Sequence, residues 1–353
     1  MSAREGLLRR WGRRTVSFTL LGLGWSLGVL SLALLPLLVL CDLARGTRLA
    51  WARGHLAVLV FLSCEVLGLL VASGLWLLRP LLSRARWLAL NHALQRRWCR
   101  ALFGALRRLF GVRLRVEGAE VLRAPGPLVV LSRHTSLLDT LLPLLVLEGR
   151  PLRYVLKQEL LWDPCLDVVG QRIPNAFVRR GGDDTAGELA KLAELAQGLG
   201  SGEAVVIFPE GTRFTPAKRA RVLEALARRA DPAALARAAA LERVLPPRAG
   251  GARELLRAAP EACALLLAHT GLERAGTLAS LWSGALIGQE VRVRLTRTPA
   301  AAIPREPAAL EGWLWATCQE LDAWLASAQV PEPEVSEARV PEAQVPGTSS
   351  TLP

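Results

Sequence analysis

The chain lacks clustered cysteines, the pattern typical of disulfide-rich secreted domains and of structural zinc sites. Its six cysteines are far apart, and no two of them form a Cys-x-x-Cys pair. We therefore interpret them as reduced thiols and predict no disulfide framework. Three of the four histidines, His55, His92 and His269, are scattered as well, so the sequence predicts no metal site.

Charged residues are absent from a long stretch near the N-terminus. Residues 15–41 contain no charged side chain, and residues 55–78 contain only Glu65. Each run is long enough to cross a bilayer, which takes about 20 residues. We predict a transmembrane hairpin over residues 15–80. Because a lone carboxylate inside a membrane is costly, we expect Glu65 to be protonated or hydrogen-bonded against the first helix.

Arginines flank this hairpin and determine its predicted orientation. Residues 1–14 form a basic tail, and a dense series of arginines follows the second apolar run. The positive-inside rule then places both ends of the hairpin in the cytoplasm. A cleaved signal peptide would have a shorter apolar core, of about 7–15 residues.

The net charge indicates an acidic partner. The chain carries a formal charge of +13, and both nucleic acid and anionic lipid would fit that charge. The sequence has no basic low-complexity tail and no aromatic-basic platform for nucleic acid. We therefore favour a lipid surface and predict no nucleic-acid partner.

Residues 81–115 carry a basic amphipathic helix and a connector. Between His92 and Phe110, apolar side chains gather on one helical face and arginines on the other. This pattern fits a helix lying in the membrane interface, and it also fits a helix packed on a domain with its arginines in solvent. Because the segment directly follows the hairpin, we favour the interfacial interpretation.

Strand and helix patterns alternate from residue 116 to residue 328. Buried strands are predicted at 128–131 and 204–208 with helical patterns between them, which is typical of an α/β domain with a mostly parallel sheet flanked by helices. Such sheets bind ligands at the carboxyl ends of their strands. Residues 219–242 are predicted as an inserted helical segment, and the proline-rich residues 329–353 as a disordered tail.

Two residues that can transfer a proton directly follow the first of these strands. Histidine is the usual side chain for proton transfer near neutral pH, and a carboxylate can fix its tautomer, so we predict that His134 and Asp139 are catalytic and share a hydrogen bond. The alternative is structural. Ser136-Leu-Leu-Asp139 also fits a helix capping box, with His134 as an ordinary loop residue.

A second polar loop follows the strand that ends near residue 208. Its arginine, Arg213, and the upstream Arg180 each offer a guanidinium fork suited to phosphate. The loop glycine permits close approach of the backbone to a ligand, and the next threonine offers a hydroxyl. The glutamate is predicted to orient Arg213 or to hold a ligand hydroxyl, with a salt-bridged surface turn as the structural alternative. The predicted substrate-binding residues are Arg180, Glu210, Gly211, Thr212 and Arg213.

Together these motifs resemble the 1-acylglycerol-3-phosphate acyltransferase (lysophosphatidate acyltransferase) family, in its longer membrane-bound branch. The family's H-x4-D motif is present as His134-Thr-Ser-Leu-Leu-Asp139, and its F-P-E-G-T-R motif is present unchanged at 208–213. A strand end closing on arginine, 177–180, lies between them, and 244–248 matches a proline-bearing fourth motif.

The chain departs from the family pattern at three places. Asn175 stands where many members have glycine, residues 268–270 lack an expected acidic residue, and residues 219–242 look inserted. None of these departures falls on a predicted reacting group.

The resemblance implies acyl transfer from acyl-CoA or acyl-carrier protein to the free hydroxyl of lysophosphatidic acid, giving phosphatidic acid in phospholipid synthesis. It implies that His134 is the base, that Asp139 stabilises the imidazolium, and that the arginines bind the acceptor phosphate. The one G-x-S-x-G match, Gly24-Trp-Ser-Leu-Gly28, lies inside the first apolar run and not on a turn between a strand and a helix, so direct transfer without an acyl-enzyme is the simpler reaction. No cofactor is expected beyond the acyl donor.

The implied location is a membrane, with membrane lipids as partners. We expect a multi-pass protein of the bacterial inner membrane with its catalytic domain facing the cytoplasm. Two alternatives stay open: a different lysophospholipid acceptor, such as lysophosphatidylglycerol, or a non-catalytic membrane lipid-binding protein. Intact His134 and Asp139 count against the second.

Overall fold

The computed structural model describes residues 3–179, 185–228 and 231–328. The predicted disordered tail, 329–353, lies outside these residues, as does Arg180 of the predicted site. Within the described part of the chain, a hairpin of two apolar helical stretches precedes an α/β domain.

The hairpin consists of Leu8–Arg45 and Ala50–Leu77, which are both long and apolar enough to cross a membrane. Their mean hydropathy is 2.4 over the most apolar 18 residues, and most side chains in those windows are not buried. The helices are α1 (Ala3–Leu30), α2 (Leu35–Arg45) and α3 (Ala50–Leu77). More than half of the surface is exposed for Leu20, Leu23, Leu27, Leu30, Leu37, Leu67 and Leu70.

A sheet of seven strands forms the centre of the domain in the described residues. The strands are β1 (Arg113–Glu117), β2 (Leu128–Ser132), β3 (Leu152–Lys157), β4 (Ala176–Val178), β5 (Ala204–Ile207), β6 (Cys263–Thr270) and β7 (Glu290–Thr298). Their order is β1-β7-β6-β2-β5-β3-β4, and β6 and β7 are the one antiparallel pair among them. The predicted mostly parallel α/β fold is therefore confirmed. Because β2 lies between β5 and β6, the loops after these three strands open at one edge.

Helices cover both faces of the sheet. The helices of the domain are α4 (Arg84–Phe110), α5 (Leu141–Val146), α6 (Pro164–Val168), α7 (Thr185–Ala196), α8 (Pro216–Arg228), α9 (Pro232–Ala239), α10 (Ala249–Ala258) and α11 (Pro307–Ala328). Alternate strand residues point to opposite faces. Leu128 and Val130 of β2 accordingly join a core with α4 and α5, whereas Val129 and Leu131 join a second core with α7, α10 and α11.

Helix α4 packs against the domain and against α3. Leu106 and Phe110 are buried in the core on one face of the sheet, and Trp98 donates a hydrogen bond to Glu65 of α3 at 3.0 Å. The outward-facing side chains include Arg97 and several other arginines. Protein thus covers much of the apolar face of α4. The alternative of a helix packed on the domain describes α4 better than the predicted interfacial helix.

Helix α3 contacts the domain at three levels along its length. At its N-terminal end, Gly54 lies against the backbone of Leu281, where a Cβ would come within 3.0 Å of the carbonyl oxygen. In the middle, Glu65 accepts from the Cys165 backbone N–H of α6 at 3.1 Å. Near its C-terminal end, the carbonyl of Ala72 accepts from Arg172 at 2.8 Å. The partners of Glu65 therefore lie in α4 and α6, not in the first helix as the sequence analysis expected.

Ion pairs attach helix α1 to the same short helix, α6. Arg13 and Arg14 each donate to the Asp167 carboxylate at 2.6 Å, and the Asp167 side chain is fully buried. A buried carboxylate needs such partners because removing it from water is costly. The basic tail that the sequence analysis assigned to membrane orientation thus also binds the domain.

The segment predicted as an insertion contains α8 and α9. Helix α8 has no buried residue, and Arg219 at its N-terminal end donates to the Leu241 carbonyl at 2.6 Å. Asp231 caps α9 by accepting from the Ala234 N–H at 2.9 Å. Helices α8 and α9 therefore form a surface segment that connects β5 to α10.

We predict that Asp167→Ala detaches α1 from the domain and lowers the free energy of unfolding. The expected loss is about 3 kcal/mol, the low end of the range for removing one partner of a buried ion pair, because both arginines keep some contact with solvent. Thermal unfolding in detergent, followed by tryptophan fluorescence, measures the change.

The matched control is Glu148→Ala, which breaks the Arg100–Glu148 pair on the surface, where both side chains are more than half exposed. This variant should unfold within about 1 kcal/mol of the wild type. Equal losses in the two variants would contradict a buried clamp at Asp167.

Candidate functional site

His134 and Asp139 are hydrogen-bonded at the carboxyl edge of the sheet. His134 follows β2 by two residues, and its Nδ1 lies 3.2 Å from Asp139 Oδ2. The His134 side chain is 15% exposed, whereas that of Asp139 is fully buried. The His134 ring packs against Phe208, with ring centroids 4.6 Å apart. Its Nε2 makes no hydrogen bond within the described part of the chain, so this nitrogen is available to a ligand.

Asp139 forms the predicted pair with His134 and also has part of the structural role that was the alternative, because it accepts hydrogen bonds within its own turn. Asp139 Oδ2 also accepts from the backbone N–H groups of Thr135 and Ser136, the second at 2.7 Å. Ser136 Oγ accepts from the Leu138 N–H at 3.1 Å and donates to the Ala275 carbonyl at 2.6 Å. Asp139 therefore closes its own turn and holds His134 with the same oxygen.

These hydrogen bonds keep Asp139 ionised. Burial works to raise the pKa of Asp139, but the neighbouring His269 and the donors from His134, Ser136 and Thr135 outweigh burial, so the pKa lies below its usual value. A charged carboxylate on Nδ1 favours the tautomer in which Nε2 of His134 carries the lone pair. The geometry therefore suits His134 for accepting a proton at Nε2.

The Pro209–Arg213 loop holds the backbone of His134 from both sides. Glu210 accepts from the His134 N–H at 2.9 Å, and the Phe214 N–H donates to the His134 carbonyl at 2.6 Å. The second oxygen of Glu210 accepts from the Leu245 N–H at 3.0 Å. Glu210 is 4% exposed and fixes the loop. The sequence analysis expected it to orient Arg213 or to hold a ligand hydroxyl, but it is not placed for either role.

Burial changes the titration of Glu210. It raises the pKa of Glu210 to about 7, although the two backbone donors and Arg133 oppose this shift. Glu210 thus differs from Asp139, whose pKa is lowered although both carboxylates are buried.

The group that lies close to the backbone of Gly211 is the side chain of an arginine of this chain. Gly211 has a φ of +72°, which favours glycine, and a Cβ there would lie 2.8 Å from Cδ of Arg248. The Arg248 N–H donates to the Pro209 carbonyl at 2.8 Å, which joins the fourth motif to the loop. Arg248 is exposed, so its charge faces solvent beside the loop.

Positive charge surrounds the other end of the loop. Arg213 donates to the Gly276 carbonyl, and Lys218 donates to Thr212 Oγ1 at 3.0 Å and to the Arg213 carbonyl at 2.9 Å. Burial, followed by the charge of Arg213, lowers the pKa of Lys218, and Lys157 and Arg221 act in the same direction. Arg213, Lys157 and Arg221 therefore lie close enough to Lys218 to affect its pKa. We call this cation cluster the basic pocket: Lys157, Arg213, Lys218 and Arg221.

The basic pocket includes a residue that motif reasoning missed. Lys218 follows the F-P-E-G-T-R motif by five positions, and one turn of α8 returns its ammonium to Thr212. Its spacing after the motif was visible in the sequence, but the start of α8 at Pro216 was not predicted. Arg180 lies outside the described residues, while its neighbour Arg179 donates to Gln158 at 2.5 Å.

A second missed residue, His269 of β6, borders Asp139. Its Nε2 lies 3.6 Å from Asp139 Oδ1, and its side chain is fully buried. No short motif contains it, because the chain reaches it 130 positions after Asp139. Within the described residues, no group of three or more His, Cys, Asp or Glu side chains could hold a metal ion.

Comparisons with known proteins find similarity to acyltransferases. The family model described as Acyltransferase matches residues 113–260. 1-acyl-sn-glycerol-3-phosphate acyltransferase alpha from Homo sapiens is 36% identical over 106 residues, and the same enzyme from Bos taurus matches equally. The match covers 30% of this chain and 36% of each relative, so it spans about a third of their length.

The fold is similar to a solved structure. The 1-acyl-sn-glycerophosphate (LPA) acyltransferase PlsC from Thermotoga maritima superposes with a TM-score of 0.50 at 15% sequence identity. The likeness covers 80% of this chain and 99% of that chain.

We predict that Glu210→Leu destabilises the protein by about 2–6 kcal/mol, because it leaves two N–H groups without an acceptor, at about 1–3 kcal/mol each. Glu210→Gln keeps one acceptor oxygen and should lose about half as much. Glu242→Leu is the control, since Glu242 is exposed and pairs with Arg243. Chemical unfolding measures all three, and equal stability of Glu210→Leu and Glu242→Leu would contradict this role.

Proposed function

We propose that this chain belongs to the 1-acylglycerol-3-phosphate acyltransferase family and transfers a fatty acyl group from a thioester to lysophosphatidic acid, giving phosphatidic acid. The single observation that supports this most is the pairing of His134 with the buried Asp139, beside a loop that carries Arg213. A base and an anion site at one edge of a parallel sheet are what such a transfer requires.

The proposed reaction is one direct displacement. Nε2 of His134 takes the proton of the acceptor hydroxyl as that oxygen attacks the thioester carbonyl. Asp139 stabilises the imidazolium that forms. Collapse of the tetrahedral intermediate breaks the C–S bond, and the leaving thiolate receives the proton from His134. The products are the ester and a free thiol, and the enzyme regains its starting protonation state.

We assign the acceptor phosphate to the basic pocket. Guanidinium and ammonium groups bind phosphate through charge-assisted hydrogen bonds. Arg213 is anchored through one nitrogen to Gly276, which holds its position while its other donors stay available. Lys218 is anchored in the same way to Thr212. The role predicted for Arg180 belongs to the same proposal.

An apolar cavity lies where an acyl chain would be needed. Thr140 and Leu141, which directly follow Asp139, line the cavity together with Gly68 of α3. The wall is otherwise formed by side chains from α4, α5, β3 and α6. Those that are apolar include Leu94, Trp98, Leu144, Leu156 and Leu166. We propose this cavity for the acyl chain, since burying methylene groups there is favourable.

We propose that the hairpin attaches the enzyme to the membrane through the exposed leucines of α1, α2 and α3. The arginines at its N-terminal end and in α4 support a cytoplasmic position for the domain. Residence in a bacterial inner membrane remains part of this proposal, whereas domain contacts along the whole of α3 do not fit a helix that crosses the bilayer with the domain on one side. The contacts of α3 with the domain at three levels favour a domain held close against the lipid surface.

A second acceptor fits the same chemistry. The basic pocket recognises a phosphate, and lysophosphatidylglycerol carries one as well. We therefore propose to test both lysolipids, each with acyl-CoA and with acyl-carrier protein as donor.

His134→Ala should reduce acyl transfer by about 100-fold or more, the usual contribution of a general base. Transfer of labelled acyl groups by membranes carrying equal amounts of each protein measures this effect. His55→Gln, a change in the hairpin, is the control and should retain activity. Full activity of His134→Ala would refute the mechanism, and transfer by neither wild type nor variant with any donor and lysolipid would favour the non-catalytic alternative.

Arg213→Ala should raise the KM for the lysolipid by about 10–100-fold, because a hydrogen bond to a charged group is worth about 1.5–3 kcal/mol. Arg213→Lys should recover only part of this loss, since lysine lacks the planar fork. Arg257→Ala, which removes an exposed arginine of α10, is the matched control. A fall in kcat with an unchanged KM would contradict a role in acceptor binding.

A further inference from the structure

A second histidine approaches the catalytic carboxylate from inside the sheet. His269 lies near the end of β6, the strand beside β2, and its side chain is fully buried. Its Nε2 is 3.6 Å from Asp139 Oδ1 and 3.0 Å from the Arg133 carbonyl oxygen. Asp139 therefore lies between two imidazole rings.

The two carboxylate oxygens of Asp139 differ in the hydrogen bonds that they accept. Oδ2 faces three donors: Nδ1 of His134 and the backbone N–H groups of Thr135 and Ser136. Oδ1 is buried and has no hydrogen-bond partner within the described residues. A buried carboxylate oxygen without a donor is costly. The Nε2 of His269 is placed to compensate that oxygen with a small movement.

The tautomer of His269 follows from its partner. A carbonyl oxygen can only accept, so the 3.0 Å contact with Arg133 requires a proton on Nε2. Burial lowers the pKa of His269, which keeps the ring neutral near pH 7. Its N–H dipole is then directed at the space between the Arg133 carbonyl and Asp139 Oδ1.

Arg133 fixes the position of His269. The Arg133 guanidinium donates to the His269 carbonyl at 2.7 Å and to the Arg243 carbonyl at 3.0 Å, and it pairs with Glu273. Arg133 is 3% exposed and precedes His134 in the chain. The charged groups facing His269 are therefore Arg133, Asp139 and Glu273, and Arg133 and His269 hold each other across β2 and β6.

We propose that His269 is a positioning residue for the reaction proposed above. Its Nε2–H donates to the Arg133 carbonyl and lies 3.6 Å from Oδ1, and its dipole restrains the Asp139 carboxylate so that Oδ2 stays aligned with Nδ1 of His134. His269 itself touches neither substrate nor the reacting proton. This inference deepens the proposed function and rests on it.

Two amide substitutions distinguish the roles of the two ring nitrogens of His269. In His269→Gln the side-chain amide reaches the position of Nε2, whereas in His269→Asn it reaches only that of Nδ1. We expect His269→Gln to keep kcat within about threefold of the wild type. We expect His269→Asn to lose about 5–10-fold in kcat, with an unchanged KM for the lysolipid, because the loss of a neutral donor is worth about 1–1.4 kcal/mol.

A readout that needs no turnover keeps this inference separate from the proposed function. Diethyl pyrocarbonate modifies unprotonated imidazole, so its reaction with His134, followed by mass spectrometry against pH, reports the protonation of His134. The charged groups facing His134 are Asp139 and Glu210. We expect the midpoint to fall by about half a pH unit or more in His269→Asn, since a carboxylate free to rotate stabilises the imidazolium less, and to stay unchanged in His269→Gln.

Three outcomes would overturn the positioning role. They are equal kcat for the two amide variants, a loss that appears in KM alone, and a His134 midpoint that is unmoved or raised in His269→Asn. Thermal unfolding of both variants identifies a loss of folding, and a loss of kcat that parallels the melting temperature would also count against the proposal. A wild type without transferase activity would refute the proposed function, while the pyrocarbonate midpoints would still decide the role of His269.

Discussion

The buried carboxylate of Asp139 is the constraint on which the site depends. A charge removed from water must be compensated by donors, and the chain supplies them from the turn that follows β2. Those donors fix the turn, and the turn fixes the ring of His134. The same turn is attached to the β6–β7 loop through Ser136 and the Ala275 carbonyl. The position of one histidine is thus determined by the electrostatics of one anion.

The hairpin is part of the same rigid arrangement through α6. Asp167 binds the arginines of α1, and the Cys165 N–H binds Glu65 of α3. Cys165 and Leu166 of that helix also line the apolar cavity beside the site. Because the elements that contact lipid and those that line the cavity share one helix, the depth of the hairpin in a membrane would determine where the cavity lies relative to the lipid.

Local patterns in the sequence predicted the elements that carry the chemistry. The apolar runs before His134 and Pro209 each gave a buried strand, and parallel order followed from the alternation with helices. The pairing of His134 with Asp139 was also predictable, since only five positions separate them. Strand β7, which lies between β1 and β6, was not predicted, because its charged side chains alternate with buried valines and resemble a surface segment.

Contacts between distant segments were beyond the reach of local patterns. Glu210 was assigned to Arg213 because they are three positions apart, yet its donors come from residues 134 and 245. The apolar face of α4 looked suited to lipid, since its pattern does not reveal that α3 and the domain core cover it. A periodicity reports which face is apolar, whereas its partner depends on the three-dimensional packing.

The two buried carboxylates of the site have opposite electrostatic properties for a physical reason. Both lose solvation, which raises the pKa of each. Asp139 gathers an imidazole and two N–H donors on one oxygen and has a second imidazole beside the other, so its charge is favoured. Glu210 receives one N–H donor on each oxygen, which is not enough to offset burial. Asp139 is therefore the anion that can stabilise a protonated His134, and Glu210 is the group that fixes the backbone of His134.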